Sequence, residues 1–216
     1  MQDAIVIGGG VIGASVLYYL ARNGVKGTLL EKKELASGSS GKCDGNVQCG
    51  DTKPGIDLEF VRMGQKLFPQ AAAELQMDIQ WKKETSLMVF ETEEENEAGK
   101  KFVKEQQEKG LEIRYLDQKE LLECEPKLAQ DLPGGCQFKN DGRVNPMLLT
   151  ISLANEARYL GASVKEGERV IEISRDSRSG LYTVKTETGE YVSPTVINAA
   201  GVWAPEIGDL LGVQIP

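Results

Sequence analysis

Gly8, Gly10 and Gly13 stand at the spacing G-x-G-x-x-G, and one carboxylate, Glu31, follows eighteen residues after the last of them. Glycines at this spacing serve the backbone. The first permits a tight turn, the second lets the main chain approach a pyrophosphate, and the third lets a helix pack closely on a strand. The N–H groups that open the next helix present positive charge to phosphate oxygens. A carboxylate at the position of Glu31 accepts hydrogen bonds from an adenosine ribose. It also disfavours a 2′-phosphate, although Lys32 and Lys33 follow at once and weaken that discrimination. The chemistry on offer is the holding of a dinucleotide.

Those residues need a strand, a helix and a second strand to position them. The apolar run at residues 4–7 predicts a short buried strand. Val11, Ile12, Ala14, Ser15, Leu17 and Leu20 follow at helical spacing, and Gly24 is a natural stop. The stretch GTLLE then predicts a second strand ending on Glu31. A minimal NAD-binding unit would continue from here into a crossover helix. Instead a loop runs from residue 33 to about 55, with SGSSGKCDGNVQCG at its centre. Loops of this length in compact domains are functional or disordered. The small residues and apolar flanks predict order around a long ligand, with the loop as a second cradle.

Composition narrows the rest. The 216 residues carry a formal net charge of −8, so the basic footprint of a nucleic-acid or anionic-membrane binder is missing. There is no histidine, which removes Ser-His and Cys-His catalysis and His-based metal sites from this chain. Cys43, Cys49, Cys124 and Cys136 form no C-x-x-C pair, and are expected as free thiols of a reducing compartment. No metal site is expected. The most apolar stretch, residues 4–21, is cut by four glycines, and Met1, Gln2 and Asp3 give it no basic start. The expected location is cytoplasmic.

The segments IVIGGGVIGASVLYYLARNGVKGTLLEK and ASGSSGKCDGNVQ together resemble the FAD-dependent amino-acid and amine oxidoreductases, the type of glycine oxidase, sarcosine oxidase, D-amino-acid dehydrogenase and D-hydroxyproline dehydrogenase. DGRVNPMLLTISLANEARYLGASVKEGERVIEI and TVINAAGVWAPEIGDLLG resemble the family's return to its FAD domain and the strand–turn–helix beside the cofactor. The resemblance implies FAD as cofactor and particular positions for it. Gly8, Gly10, Val11, Ile12 and Gly13 would line the pyrophosphate turn, with Glu31 and Lys32 on the adenosine side. Ser39, Ser40, Lys42, Cys43, Gly45 and Asn46 would follow the cofactor towards its flavin. Val170 would meet adenine through its backbone, and Ala199, Ala200, Gly201 and Trp203 would lie on the opposite side. Cys43 departs from the small residue that relatives carry there. No catalytic residue is assigned. Arg62, Arg114, Arg143 and Arg158 are available for a substrate carboxylate, but none stands in a motif.

The expected fold is α/β, a Rossmann-like FAD/NAD(P)-binding domain with an inserted α+β substrate domain of mainly antiparallel sheet. Residues 1–77 and 144–216 are expected in the cofactor domain, incomplete at its C-terminus, and residues 78–143 in part of the substrate domain. A helix interrupted at Pro69 is expected over residues 56–76, a solvated helix over 93–110 and an amphipathic helix over 146–160. Strands are expected at 163–173, 181–186 and 191–198. The implied activity is oxidation of the C–N bond of an amino acid or secondary amine by hydride transfer to flavin, with an unidentified electron acceptor. The competing reading is an FAD- or nucleotide-binding subunit without turnover, working within a homo- or hetero-oligomer. An NAD-dependent dehydrogenase is a third reading, in which the long loop has no place.

Overall fold

The computed structural model describes residues 2–50, 52 and 55–215. Positions 51, 53 and 54 of the expected long loop, and the two terminal residues, lie outside the described residues. The first half contains β1 (Ala4–Ile7), α1 (Val11–Arg22), β2 (Gly27–Glu31), β3 (Asn46–Val47), α2 (Ile56–Glu74), β4 (Lys82–Lys83), β5 (Ser86–Phe90) and α3 (Glu93–Glu108). It is followed by β6 (Ile113–Asp117), α4 (Gln118–Cys124), β7 (Gly134–Phe138), β8 (Gly142–Arg143) and α5 (Pro146–Tyr159). The chain closes with β9 (Ser163–Glu166), β10 (Val170–Arg175), β11 (Tyr182–Thr186), β12 (Glu190–Ser193), β13 (Val196–Asn198) and α6 (Ala204–Asp209). Among the described residues no helix is long and apolar enough to cross a membrane.

The chain divides into two compact units. The first comprises residues 1–45, 72–80 and 145–216, and the second residues 46–71 and 81–144. Residues 46–71, grouped with the cofactor domain on sequence grounds, therefore fall in the second unit.

The first unit is built on a parallel sheet of order β13-β1-β2-β9. Every residue of β1 and β2 is buried, as suits central parallel strands covered on both faces. Side chains alternate along a strand. Ile5 and Ile7 point into a cluster with Val170, Ile173 and Val184 of the antiparallel sheet β10-β11-β12. Helix α1 packs on α5 and covers β2. Full burial of a side chain such as Ile5, Leu17 or Leu29 contributes about 1.5–3 kcal/mol. The Arg22–Glu74 pair, at 2.6 Å, lies at the surface, where water screens it. The apolar layers, not the ion pairs, hold this unit.

Three sequence expectations needed correction. The strand expected over 163–173 is two strands. β9 joins the parallel sheet, then the chain turns at Gly167 (φ 75°) and β10 opens the antiparallel sheet. Residues 191–198 likewise divide into β12 and β13 around Pro194, which has no N–H for a ladder. Helix α2 runs through Pro69 without a break. A proline removes one backbone bond, but the rest of a long helix can carry it.

The second unit contains two three-stranded antiparallel sheets, β5-β7-β6 and β3-β8-β4. Phe90, Val103, Ile113, Cys136, Phe138 and Leu58 form its core. Capping boxes Thr92/Glu95 and Asp117/Glu120 start α3 and α4, where the side chain and the backbone amide satisfy each other's bonds. Asp141, 3% exposed, accepts hydrogen bonds from Cys49 N (3.3 Å), Gln65 Nε2 (3.2 Å) and the Ser86 hydroxyl. A buried carboxylate is tolerable because it is bonded in this way.

Candidate functional site

A cavity of about 1080 Å³ opens at the C-terminal ends of β1, β2 and β13, wholly within the first unit. Ligands of open α/β sheets bind at this edge. The volume lies just above the ~300–1,000 Å³ range of small-molecule sites and has room for a large ligand.

The floor is the glycine turn between β1 and α1. Gly8 has φ 113°, and a Cβ there would collide with the Ala199 carbonyl. A Cβ on Gly13 would collide with the Gly8 carbonyl. Only glycine fits at either position, so turn, helix and neighbouring strand come together without side chains between them. Helix α1 begins at Val11 with Gly10 as its N-cap and no side-chain cap from that residue, which leaves its positive end facing the cavity. Val11 N donates to Ser40 Oγ at 2.9 Å, tying the turn to the Gly/Ser-rich loop.

Glu31 is buried at the end of β2. Its carboxylate accepts from Gly9 N at 2.6 Å and from Lys33 N at 2.9 Å. A carboxylate has about four acceptor sites, so two remain for a ligand hydroxyl. Lys32 lays its ammonium over the Trp203 ring, 3.4 Å from the centroid. Lys33, Lys42 and Arg169 add positive charge to the lining, and Glu168, Glu187 and Glu206 negative charge. The Thr186 hydroxyl, and then that of Thr188, hold the Glu168 carboxyl below its usual range.

Of the residues expected from the sequence, Gly8, Gly10, Val11, Ile12, Glu31, Lys32, Ser39, Ser40, Lys42, Cys43, Val170, Ala199, Ala200, Gly201 and Trp203 line this one cavity. Gly13 lies under the turn and acts through packing. Gly45 is not part of the lining, and Asn46 is in β3 of the second unit, paired with Arg143. Sequence reasoning missed Gly9, whose amide meets Glu31, and the cluster Glu168, Arg169 and Glu187. Gly9 was visible as the middle of GGG. The cluster carries no motif and is assembled by the turn between β9 and β10.

The four arginines considered for a carboxylate are all engaged elsewhere. Arg62 donates to the Lys109 and Gly110 carbonyls, Arg114 to Gln137 and Glu120, Arg143 to Glu84, and Arg158 to Glu166. All four cysteines are free, Cys43 and Cys124 exposed, Cys49 and Cys136 buried. Among the described residues no cluster suits a metal ion.

The glycine turn, the helix N-terminus and the buried carboxylate fit the ADP half of a dinucleotide, and the volume of the cavity leaves room for a larger one. Comparison with known proteins agrees. The family described as "FAD dependent oxidoreductase" matches residues 3–216. Mitochondrial dimethylglycine dehydrogenase of Homo sapiens is 29% identical over 217 residues, covering 99% of this chain and 25% of its own length. Glycine oxidase of Bacillus licheniformis is 29% identical over 222 residues, covering 98% of this chain and 57% of its own length. The crystal structure of glycine oxidase from Geobacillus kaustophilus matches with a TM-score of 0.92 at 26% identity, over 99% of this chain and 59% of that one. The chain thus spans a quarter of the length of the first of these relatives and just over half of the others.

Proposed function

Because the chain belongs to the FAD-dependent oxidoreductase family, we propose that it forms the cofactor-binding part of an enzyme that oxidises the carbon–nitrogen bond of an amino acid or secondary amine. The observation that carries this reading is the single cavity gathering the glycine turn, the α1 N-terminus, Glu31, the Gly/Ser-rich loop and the segment from Ala199 to Trp203. The first unit serves as the cofactor domain and the second as part of the substrate domain.

Each residue takes a role set by its position. The Gly10 and Ile12 amides face the pyrophosphate beside Ser40, whose hydroxyl takes the Val11 N–H, with Gly8, Gly10 and Gly13 allowing its approach. Glu31 accepts from ribose hydroxyls with the lone pairs its amide bonds leave open. The Val170 backbone lies towards adenine. Ser39, Ser40, Lys42 and Cys43 line one wall of the remaining length, and Ala199, Ala200, Gly201 and Trp203 the other. Bound FAD supplies the acceptor for a hydride from the carbon bearing the amine. The chain itself binds, orients and desolvates. A neutral amine needs no strong base at the reacting carbon, in keeping with a chain without histidine. The substrate class rests on the relatives, glycine oxidase and dimethylglycine dehydrogenase.

The test is anaerobic. The protein is loaded with FAD, and glycine, sarcosine and dimethylglycine are added in turn while the visible flavin band is followed. Bleaching by one of them supports the reading. Binding without bleaching by any of them favours the second reading, a cofactor-binding subunit completed by another polypeptide. The chain's coverage of just over half of the glycine oxidases keeps that reading open.

A further inference from the structure

Helix α2 carries an apolar stripe that none of the described residues covers. Ile56, Phe60, Met63 and Leu67 follow at intervals of four, three and four, and are 64%, 65%, 61% and 49% exposed. At about 100° per residue they fall within roughly 60° of the helix circumference. Leu58 and Val61, on another side of the same helix, pack into the core of the second unit. The helix is held by one face and presents the other. Large apolar residues at this spacing are what a partner helix buries.

The charges beside the stripe select the partner. Glu59 and Lys66 are both exposed and lie seven residues apart on the same flank, about 10 Å along the axis. Neither enters an ion pair among the described residues. A second α2 laid antiparallel would bring the partner's Lys66 opposite Glu59 and the partner's Glu59 opposite Lys66. The two-fold axis then passes between residues 62 and 63, and the two Met63 side chains meet near it. In a parallel two-fold pair the Glu59/Lys66 flanks would fall on opposite sides of the contact, and these charges would not meet. On the other flank, a Cβ built on Gly64 meets nothing within 4 Å, so a neighbouring backbone could approach closely.

We propose that this face is self-complementary, and that two copies of the chain pair through antiparallel α2 helices in an isologous contact. The pairing is independent of the cofactor reading.

The test is sedimentation equilibrium of the full chain at up to roughly 100 µM, a range that reveals even a weak dimer. The wild type is expected to dimerise with rising concentration, and Met63→Glu to remain monomeric with an unchanged far-UV circular dichroism spectrum. Glu59→Lys and Lys66→Glu should each weaken the dimer about tenfold, since each turns two attractions into two repulsions. The double reversal Glu59→Lys/Lys66→Glu should restore it. A wild type that stays monomeric across the range overturns the proposal, because the stripe is then free or covered by a different polypeptide. A dimer indifferent to Met63→Glu, or one that the double reversal fails to restore, overturns it equally.

Discussion

Lys32 and Trp203 meet across the end of β1, with the Lys32 ammonium 3.4 Å from the centroid of the Trp203 ring. The lysine follows β2 and the tryptophan follows β13, the two neighbours of β1 in the sheet. The contact therefore passes over the glycine turn and joins two walls of the cavity. The ring also lies beside Gly38, where a Cβ would stand 3.6 Å from it. A cation over an indole face contributes about 0.5–1 kcal/mol at an exposed site. A double-mutant cycle of Lys32→Met and Trp203→Leu, read by urea unfolding, should return a coupling of that size. A coupling near zero would mean that the two side chains do not hold the walls together.

Glu31 is expected to matter to the turn and to the ligand at once. It accepts two backbone amides in a buried setting. A hydrogen bond to a charged group contributes about 1.5–3 kcal/mol. Glu31→Gln should weaken FAD binding by roughly 10–100-fold, at about 1.4 kcal/mol per tenfold. Isothermal titration would register the loss, and unchanged affinity would remove Glu31 from the site.

Gly13→Ala tests the turn without touching any charge. The added methyl would strike the Gly8 carbonyl, so the helix must move away from the strand. Overpacking of this kind costs about 1–3 kcal/mol. A lowered Tm together with lost FAD binding is expected. A variant that keeps both would show that the close approach of α1 to β1 is not required.

In the second unit, Asp141→Ala should destabilise by about 1.5–3 kcal/mol, because Cys49 N, Gln65 and Ser86 lose a charged acceptor. Urea unfolding would show it as a lower midpoint.

The thiols give a pH dependence with a definite sign. Burial pushes the Cys136 thiol up to about 11. Burial, and next the Asp141 charge, raise that of Cys49. Below the ordinary thiol pKa of about 8.5, both are protonated whether the chain is folded or not, and their stabilisation is complete. Above it the unfolded chain ionises first, so stability falls with rising pH until the folded Cys136 titrates at about 11. Thiol labelling at neutral pH should accordingly modify Cys43 and Cys124 and spare Cys49 and Cys136 until the chain unfolds.

The cofactor half of the fold was legible because its signals are local. Gly8, Gly10 and Gly13 act within one turn, the apolar runs of β1 and β2 need no partner to be recognised, and Glu31 ends its own strand. What stayed hidden depends on distant pairing. The split of residues 163–173 into β9 and β10 follows from the parallel partner β2, which no window on those residues contains. Glu168, Arg169 and Glu187 reach the cavity only through that split. The family resemblance groups Asn46 with Ser39 to Gly45, yet its strand pairs with Arg143 almost a hundred residues on. Pro69 looked like a break because local propensity says nothing of the packing of Leu58 and Val61, which holds α2 in place.

The most direct measurement of the central claim is the binding of FAD itself, by equilibrium dialysis with the absorbance spectrum of the retained protein recorded before and after denaturation. The account predicts close to one FAD per chain, released on denaturation, and binding that is lost in Gly13→Ala. A chain that is folded by circular dichroism, remains colourless and retains no added FAD would contradict it.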